Sequence, residues 1–378
     1  METSLIGADA HFTIAAILVI VTAFGYWTEK TAFGRQFSSV LPVIFAATFL
    51  SNIGIIPKSA PIYSAVWSNL IPLAIPLLLF KADLRRAWRE TGPTMIAFLC
   101  GAIGVLAGAL LSFAILPLGE DGAALAGLFS ATYIGGSINF AAVAEAIGYT
   151  DVSKLTAAIA VDNVIGISFL IMLIMLPSFR WLRRFFPEKD HDSAPENAET
   201  ATLEPAAINF THLSTGLAIS MAICAVGNTL AAYLGFQTYA ILFITLGALA
   251  LANLAPRQFA RLTGDFELGM FFLLIFFATI GAGTDLVGMF NSAAVLAAMA
   301  TIIMITHTIT ILIAGRVFKL SLEEIIIGSN AGILGAPTAA AQAASRNWRA
   351  LVTPAILCGL FGNAIANFIG VGLYELLR

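Results

Sequence analysis

Long apolar runs separated by short polar stretches dominate this sequence. Most of the twelve runs reach the roughly 20 residues that a helix needs to cross about 30 Å of hydrocarbon. No short alternating strands are seen, and backbone groups in lipid must be satisfied internally, so the pattern predicts helices. The runs cover residues 11–28, 39–55, 62–80, 93–118, 123–147, 155–178, 212–234, 237–255, 266–283, 287–314, 322–345 and 350–376.

One polar stretch interrupts the pattern at the middle of the chain. Residues 187–205 hold six acidic residues, one Lys and three Pro, a composition typical of a solvated linker. Six apolar segments lie on each side of it. The sequence therefore predicts an N-terminal repeat over 1–178, a polar linker over 179–210 and a C-terminal repeat over 211–378.

The two halves resemble each other. A shift of about 200 residues superimposes the apolar segments in order, and Asp83-Leu84 after the third segment matches Asp285-Leu286 after the ninth. The other matched pairs are Gly135 with Gly335, Ala141 with Ala341, Asn163 with Asn363 and Ile165 with Ile365. We interpret the chain as an internal duplication.

The 19 basic residues bear on how many segments cross the membrane, because Lys and Arg concentrate in short cytoplasmic loops. If all twelve segments cross, these residues divide almost equally between the two sides. If segments 123–147 and 322–345 return to the side that they entered from, sixteen lie inside. Only Lys58, Lys154 and Arg378 then lie outside. A similar distribution of basic residues would result if a different segment in each half did not cross the membrane.

The charge pattern therefore favours an all-α integral membrane protein with ten transmembrane helices and two re-entrant or broken helical hairpins. The two repeats then have inverted topology, with the N-terminus outside and the linker in the cytoplasm. Composition agrees, since 59% of the 378 residues are hydrophobic and 11% are charged, against roughly 25% charged in soluble domains. A soluble domain is excluded, and a net charge of −3 indicates no nucleic-acid partner.

The two hairpin segments have the least lipid-like composition, and glycine or proline interrupts each near its centre. Broken segments at matching places in two halves indicate a transporter site, because unwound backbone at membrane depth must be buried or line a wet cavity. Close helix packing on small residues is the alternative explanation. We predict that the substrate is bound by Gly135, Gly136, Ser137, Asn139, Gly335, Pro337, Thr338 and Gln342.

Asp162 is an ionisable residue inside the sixth apolar segment, where it is costly unless paired, hydrated or neutralised. It is a candidate to coordinate Na⁺ or carry a proton, and a hydrogen bond to a neighbouring helix is the structural alternative. The predicted ion-binding residues are Asp162, Asn163, Asn330 and Asn363. His307 in the tenth segment is expected to pack against a Thr rather than to relay protons.

The sequence contains no nucleophile elbow, phosphate-binding loop or metal-ligand cluster. An intramembrane aspartyl protease would need two facing Asp residues, whereas Asp265 and Asp285 lie at opposite ends of the ninth segment. We therefore expect no enzyme activity, and no cofactor beyond Na⁺ or H⁺ as a coupling ion.

Four stretches resemble an uncharacterised bacterial and plastid membrane family known as domain of unknown function 819, over nearly the whole chain outside the linker. They are LLLFKADLRRAWRETG, SATYIGGSINFAAVAEA, AVDN and NAGILGAPTAAAQAA.

A more distant likeness is to the glutamate:sodium symporters. The first hairpin of those symporters has a Gly-Gly-rich turn, which Gly135-Gly136-Ser137 resembles. Their second hairpin has a Gly-Ala…Pro-Thr-Ala run, which Gly335-Ala336-Pro337-Thr338-Ala339 resembles with one residue fewer. Ser137-Ile138-Asn139 departs from their usual turn, so glutamate itself is not implied. The likeness implies hairpins that meet at mid-membrane, Na⁺-coupled uptake of a carboxylate, and a core that slides against a scaffold, often in a homodimer.

The hypothesis from the sequence is a secondary active transporter of a small organic anion or amino acid, coupled to Na⁺ in preference to H⁺, with elevator-type alternating access. A passive channel or facilitator and a non-transporting membrane scaffold or sensor are the alternatives. The expected location is the bacterial inner (cell) membrane, and the expected partners are the lipid bilayer and a small-molecule substrate.

Overall fold

The computed structural model describes residues 4–31, 39–191 and 209–378, and all regular structure within these ranges is helical. Most of the predicted linker, together with Arg35 in the first basic loop, lies outside the described residues. The first half contains α1 (His11–Thr28), α2 (Val40–Asn52), α3 (Pro61–Leu79), α4 (Leu84–Glu90), α5 (Pro93–Ile115), α6 (Gly122–Gly135), α7 (Ser137–Ala146), α8 (Val152–Met175) and α9 (Arg180–Arg183). The second half contains α10 (Phe210–Tyr233), α11 (Ala240–Leu254), α12 (Pro256–Phe259), α13 (Asp265–Gly283), α14 (Leu286–Val317), α15 (Leu322–Ile333), α16 (Ala336–Ser345) and α17 (Val352–Leu377).

Nine helices of the described ranges are long and apolar enough to cross a membrane: α1, α3, α5, α8, α10, α11, α13, α14 and α17. Helix α2, which the sequence counts as a tenth span, is apolar but has only 13 residues. The predicted all-helical integral membrane fold is confirmed.

The helices follow the same order in both halves. Asp83 and Asp285 each cap the helix that follows: the Asp83 carboxylate accepts from the Arg86 N–H at 3.0 Å and the Asp285 carboxylate from the Gly288 N–H at 2.8 Å. The first half breaks the helix after this cap into α4 and α5, where Gly92 has a φ of 50°. The second half runs on as the 32-residue α14. The shared order and cap support the interpretation of a duplication.

A single glycine breaks each of the two segments with the least lipid-like composition. Gly136 separates α6 from α7 with φ 82° and ψ 173°, and Gly335 precedes α16 with φ 92° and ψ 173°. This backbone region is open essentially only to glycine. The residue that matches Gly335 in conformation is therefore Gly136, one position beyond the Gly135 that a constant shift of 200 selects.

The two helices of each broken segment fold back on each other. The Asn330 amide N–H donates to the Gln342 side-chain carbonyl at 2.5 Å, although the two residues would lie about 18 Å apart along a straight helix. In the first segment, a Cβ on Gly370 of α17 would lie 2.9 Å from both Ala131 and Val143, which have the same separation in sequence. We name these helical hairpins hairpin 1 (α6 and α7) and hairpin 2 (α15 and α16).

The hairpins approach α17 from its opposite ends. Hairpin 1 lies along the C-terminal half of this helix, from Gly370 to Gly362, against which Gly135 packs. Hairpin 2 lies along the N-terminal half, because α16 joins α17 through one short turn and Ala336 packs against Gly359. The two hairpin tips therefore meet near the middle of α17.

The helices form two bundles that each contain parts of both halves. The core bundle contains the hairpins with α5, α8, α14 and α17, and the scaffold bundle contains α1, α2, α3, α10, α11 and α13. The bundles touch where α7 meets α3, α8 meets α13, and α17 meets α11. Side-chain hydrogen bonds link Asn367 to Thr245 at 3.4 Å and Thr156 to Thr284 at 2.5 Å across this boundary.

A stripe of glycines lets α5 and α14 pack at close range. Gly101, Gly104 and Gly108 face α14, and a Cβ at Gly104 would lie 2.8 Å from the His307 Cα. The buried His307 ring bonds the Gly101 carbonyl at 2.9 Å and the Ser329 hydroxyl at 2.7 Å. His307 therefore ties α14 to both α5 and hairpin 2, with a Ser in place of the expected Thr partner.

Pro76 inside α3 leaves the Pro72 carbonyl without its helical donor, and α10 supplies one. Pro76 has no N–H to donate to the Pro72 carbonyl, and the Cys224 thiol donates to that oxygen at 3.2 Å. The Ser220 hydroxyl donates to the Leu73 carbonyl at 2.7 Å. Proline is tolerated in an apolar helix when a neighbouring helix supplies donors in this way.

Described basic residues segregate to the two ends of the core bundle. The end with the base of hairpin 1 carries Lys58, Lys154 and Arg378, each beside a carboxylate. The opposite end, at the base of hairpin 2, carries basic side chains from several elements: Arg180, Arg183, Arg184, Lys189, Arg316 and Arg346. The predicted orientation in the membrane agrees with this distribution and stays a prediction.

Cysteine accessibility tests whether the hairpins re-enter from opposite faces. Thr150 follows hairpin 1, and Ser345 is the last residue of hairpin 2. Re-entrant hairpins place these two residues on opposite faces of the membrane, whereas twelve crossing segments place them on the same face. We expect a membrane-impermeant maleimide to label Thr150→Cys but not Ser345→Cys in intact cells, with Cys100, Cys224 and Cys358 replaced by Ser. Permeabilised cells should label both. Equal labelling of the two positions in intact cells would contradict re-entrance.

Candidate functional site

Both hairpin tips pack against α17 at two glycines, where no side chain covers the backbone of that helix. A Cβ at Gly362 would lie 2.3 Å from the Ile134 carbonyl oxygen, and a Cβ at Gly359 would lie 2.5 Å from the Ala336 nitrogen. The two glycines lie within one helical turn of each other. The glycines therefore let two broken helices approach one continuous helix at the same level.

Helix α8 passes the same two tips. Its Asp162 is half-buried and interacts with the hydroxyl of Tyr133, a residue of hairpin 1. One turn further on, a Cβ at Gly166 would lie 3.2 Å from the Leu334 side chain of hairpin 2. The Tyr133 oxygen is buried and lacks a hydrogen bond of good geometry among the described residues. A carboxyl group therefore lies near the middle of α8, beside the tips.

An amide pair connects hairpin 1 to α17. The Asn139 side-chain N–H donates to the Gly135 carbonyl at 2.6 Å and to the Asn363 side-chain carbonyl at 3.5 Å. Asn139 is buried, whereas Asn363 is half-buried. The Asn163 side chain donates to the Ile159 carbonyl of its own helix at 2.8 Å. Of the predicted amides, Asn139 and Asn363 are thus brought together at the first tip.

Asn330 and Gln342 hold the legs of hairpin 2 together. Both side chains are buried, and each lies five or more residues from Gly335. The Asn330 carbonyl oxygen and the Gln342 amide nitrogen are buried without a partner among the described residues. The structure thus gives these two residues a bridging position inside the hairpin, away from its tip.

The tips themselves are partly open. Gly136, Ser137, Gly335 and Thr338 are half-buried, and Pro337 is exposed. The helices α7 and α16 begin here, so the N–H groups of their first turns and the positive ends of their dipoles lie at the tips, except that Pro337 has no N–H. The C-terminal carbonyl groups of α6 and α15 end at the same place. The site therefore offers donors for an anion and acceptors for a cation.

No metal cluster accompanies this arrangement. Within the described ranges, no group of three or more His, Cys, Asp or Glu is placed to hold a metal ion. A cation at the tips would depend on carbonyl oxygens together with the single carboxyl group of Asp162, which are ligands that suit a hard cation.

Sequence reasoning missed three residues that build the site. Tyr133, Gly359 and Gly362 touch the tips or the acidic residue. The available signals were the Gly-x-x-Gly spacing in the last apolar segment and the polar aromatic just before the Gly-Gly pair. Neither signal stands out in a chain with 32 glycines.

Adding one methyl group to α17 tests the seat of the first tip. At Gly362, the new Cβ of Ala would meet the Ile134 carbonyl at 2.3 Å and the Phe98 ring at 3.1 Å. We expect Gly362→Ala to destabilise the protein by about 1–3 kcal/mol through overpacking. Gly372→Ala is the matched control, because a Cβ there meets nothing within 4 Å. Equal apparent melting temperatures of the two purified variants would contradict this packing.

Comparison with known proteins identifies the family of this chain. A sequence profile of the family described as "Protein of unknown function (DUF819)" matches residues 16–378. A relative from Bacillus subtilis (strain 168), named "Uncharacterized membrane protein YjcL", is 31% identical over 387 residues, which covers 97% of each chain. The protein is thus a multi-pass membrane protein, and with matches over nearly its whole length the chain belongs to the DUF819 family.

Proposed function

We propose that this protein is a secondary active transporter of a small organic anion or amino acid, coupled to Na⁺ in preference to H⁺. One observation carries the proposal: two broken hairpins from opposite ends of α17 meet at Gly359 and Gly362, beside Asp162 of α8. Broken helices in matching halves are the usual place where transporters bind substrate and ion.

The chemistry of the tips supports an anionic substrate group. The N-termini of α7 and α16 lie at the two tips, and each carries about half a positive charge from its helix dipole. The Ser137 and Thr338 side chains lie in the first turns of these helices and are half-buried. A carboxylate bound between the tips would contact both hairpins at once.

The position of Asp162 supports coupling to a cation. A half-buried carboxylate deep in an apolar helix is costly when ionised. The Asp162 carboxylate lies beside the neutral hydroxyl of Tyr133. A bound Na⁺ would neutralise it, with further oxygens from Asn363 and the C-terminal carbonyl groups of α6. Asn163 and Asn330 remain proposed ion ligands from the sequence, and Gln342 a proposed substrate ligand. Proton binding at Asp162 is the second route to neutrality.

The division into two bundles supports an elevator-type movement. Both hairpins and the helices that hold them belong to the core bundle, so the whole site can move as one body against the scaffold bundle. Among the described residues, side-chain hydrogen bonds of Asn367, Thr156 and Tyr239 cross the boundary. Gly92 and Thr284 lie at connections between the bundles, where the backbone leaves the helical conformation. A passive channel would need the tips but not this division.

We further propose the bacterial inner (cell) membrane as the location, with the N-terminus outside, the linker cytoplasmic and the scaffold bundle as the surface of a homodimer. Elevator transporters need an anchored scaffold, and dimerisation through that bundle would provide one.

Ligand screening followed by flux measurement tests the proposed function. We expect an amino acid or small carboxylate to raise the melting temperature of the purified protein in NaCl but not in choline chloride, because a ligand of the folded state stabilises it. In proteoliposomes the same compound should accumulate above its external concentration only under an inward Na⁺ gradient. Equilibration without accumulation would identify a passive facilitator, and absence of both binding and flux would contradict transport.

Substitution of Asp162 tests its role in ion coupling. We expect Asp162→Asn to lower Na⁺-stimulated uptake roughly tenfold to a hundredfold, the effect of removing one charged ligand. Asp151→Asn is the matched control, because this residue caps the same helix and Asn retains the cap. Both variants should fold and reach the membrane. Unchanged Na⁺ or pH dependence of uptake in Asp162→Asn would remove this residue from the coupling site.

A further inference from the structure

A basic pocket lies at the end of α8, far from the hairpin tips. The pocket has a volume of about 350 Å³, and its lining consists of Arg180, Arg183, Arg184, Phe186 and Glu188. We call it the arginine pocket. Among these lining residues three guanidinium groups face one carboxylate, that of Glu188, which lies 3.6 Å from Arg183. The described lining therefore carries more positive than negative charge.

Three further basic side chains of the described residues lie close to the arginine pocket. Lys189 is paired with Glu324 of hairpin 2, with its Nζ 2.8 Å from the carboxylate. Arg316 donates to the Phe185 carbonyl at 2.8 Å, and Arg346 donates to the Ile174 carbonyl at 2.6 Å. Two more guanidinium groups therefore stand at this end of the core bundle, each bonded to a backbone carbonyl among the described residues.

The arginine pocket lies at the depth of a membrane interface. Helix α8 has 24 residues, which span about 36 Å, so it crosses the hydrocarbon layer and ends close to its boundary. The residues that follow expose aromatic rings: Phe179 is 43% exposed, Trp181 62% and Phe185 49%. Leu182 and Phe186 are buried and anchor the segment. Exposed aromatic rings beside arginines are typical of the headgroup region.

An apolar groove lies on the outer side of the core bundle, beside the half of α8 that leads to the arginine pocket. It lies between α8 and α14, has a volume of about 320 Å³, and is lined by Ile165, Ser168, Phe169, Met172, Thr301, Met304, Ile305, Thr308 and Ile309. Met172 lies about 4.5 Å along the helix axis from Met175, the last residue of α8, and Arg180 follows after one short turn. A phospholipid has this layout, with a charged head joined to an apolar chain.

We propose that the arginine pocket binds the phosphate headgroup of an anionic phospholipid, with an acyl chain in the groove between α8 and α14. Planar guanidinium groups bind phosphate oxygens in pairs, so three of them in one pocket suit this group better than a single ammonium would. Basic pockets at the cytoplasmic end of transmembrane helices are sites of this kind. The site makes no contact with the hairpin tips, so the proposal is independent of the transport function.

The test compares lipids and variants of the full-length protein. Delipidated protein in a neutral detergent is titrated with palmitoyl-oleoyl phosphatidylglycerol, palmitoyl-oleoyl phosphatidylcholine or inorganic phosphate, and the melting temperature and bound lipids are measured by thermal shift and native mass spectrometry. The variant is the triple Arg180→Gln, Arg183→Gln, Arg184→Gln. The matched control removes three arginines from the other exposed basic helix, α4, as Arg85→Gln, Arg86→Gln, Arg89→Gln.

We expect phosphatidylglycerol, and not phosphatidylcholine, to stabilise the wild-type protein and the α4 variant. In the pocket variant its apparent affinity should fall on the order of a hundredfold, because each arginine near the headgroup contributes about a fivefold factor. If the triple variant does not fold, Arg184→Gln alone should lower the affinity about fivefold. Equal effects of the two lipids, equal losses in the two triple variants, or full stabilisation by inorganic phosphate would overturn the proposal.

Discussion

The structure depends on one constraint: a helix broken at membrane depth must have its free backbone groups covered by protein or by bound ligand. Gly136 and Gly335 create two such breaks, and each hairpin tip is pressed onto bare backbone of α17. Larger side chains at Gly359 or Gly362 would push the tips away and open their amide and carbonyl groups to lipid. The close approach therefore both protects the breaks and brings four helix ends together.

The same constraint accounts for the distribution of charge. A hairpin that turns back at mid-membrane has its base at one end of the bundle, so polar and charged residues that tie down the base collect there. Lys154 pairs with Asp121 at the base of hairpin 1, and Lys189 pairs with Glu324 at the base of hairpin 2. Between these ends Asp162 is an acidic side chain deep in an apolar helix, and it interacts with Tyr133. The proposed site at the centre is thereby separated from the ion pairs at the ends.

The sequence predicts the breaks well and the contacts poorly, for physical reasons. Paired glycines and a proline signal a local backbone preference, so both interruptions and the caps at Asp83 and Asp285 follow from the residues themselves. The direction in which a polar side chain points on a buried helix depends on its neighbours. Asn139 reaches Asn363 of α17, whereas Asn330 reaches Gln342 of its own hairpin, although all four amides look alike in sequence. Which of the 32 glycines receive the tips is likewise decided by packing.

The two hairpins are held at their bases in different ways, and this breaks the symmetry of the halves. In hairpin 1 the tie comes from the start of α8, the next helix of the chain. In hairpin 2 it comes from the segment that leads into the linker, since His191 bonds the Ser321 hydroxyl at 2.9 Å and its carbonyl accepts from the Ala350 N–H at 3.1 Å. The start of hairpin 2 and the turn that follows it are thus fastened to the segment next to the arginine pocket. An event at this end of the protein would act on hairpin 2 through these contacts and not on hairpin 1, so the two halves need not move alike.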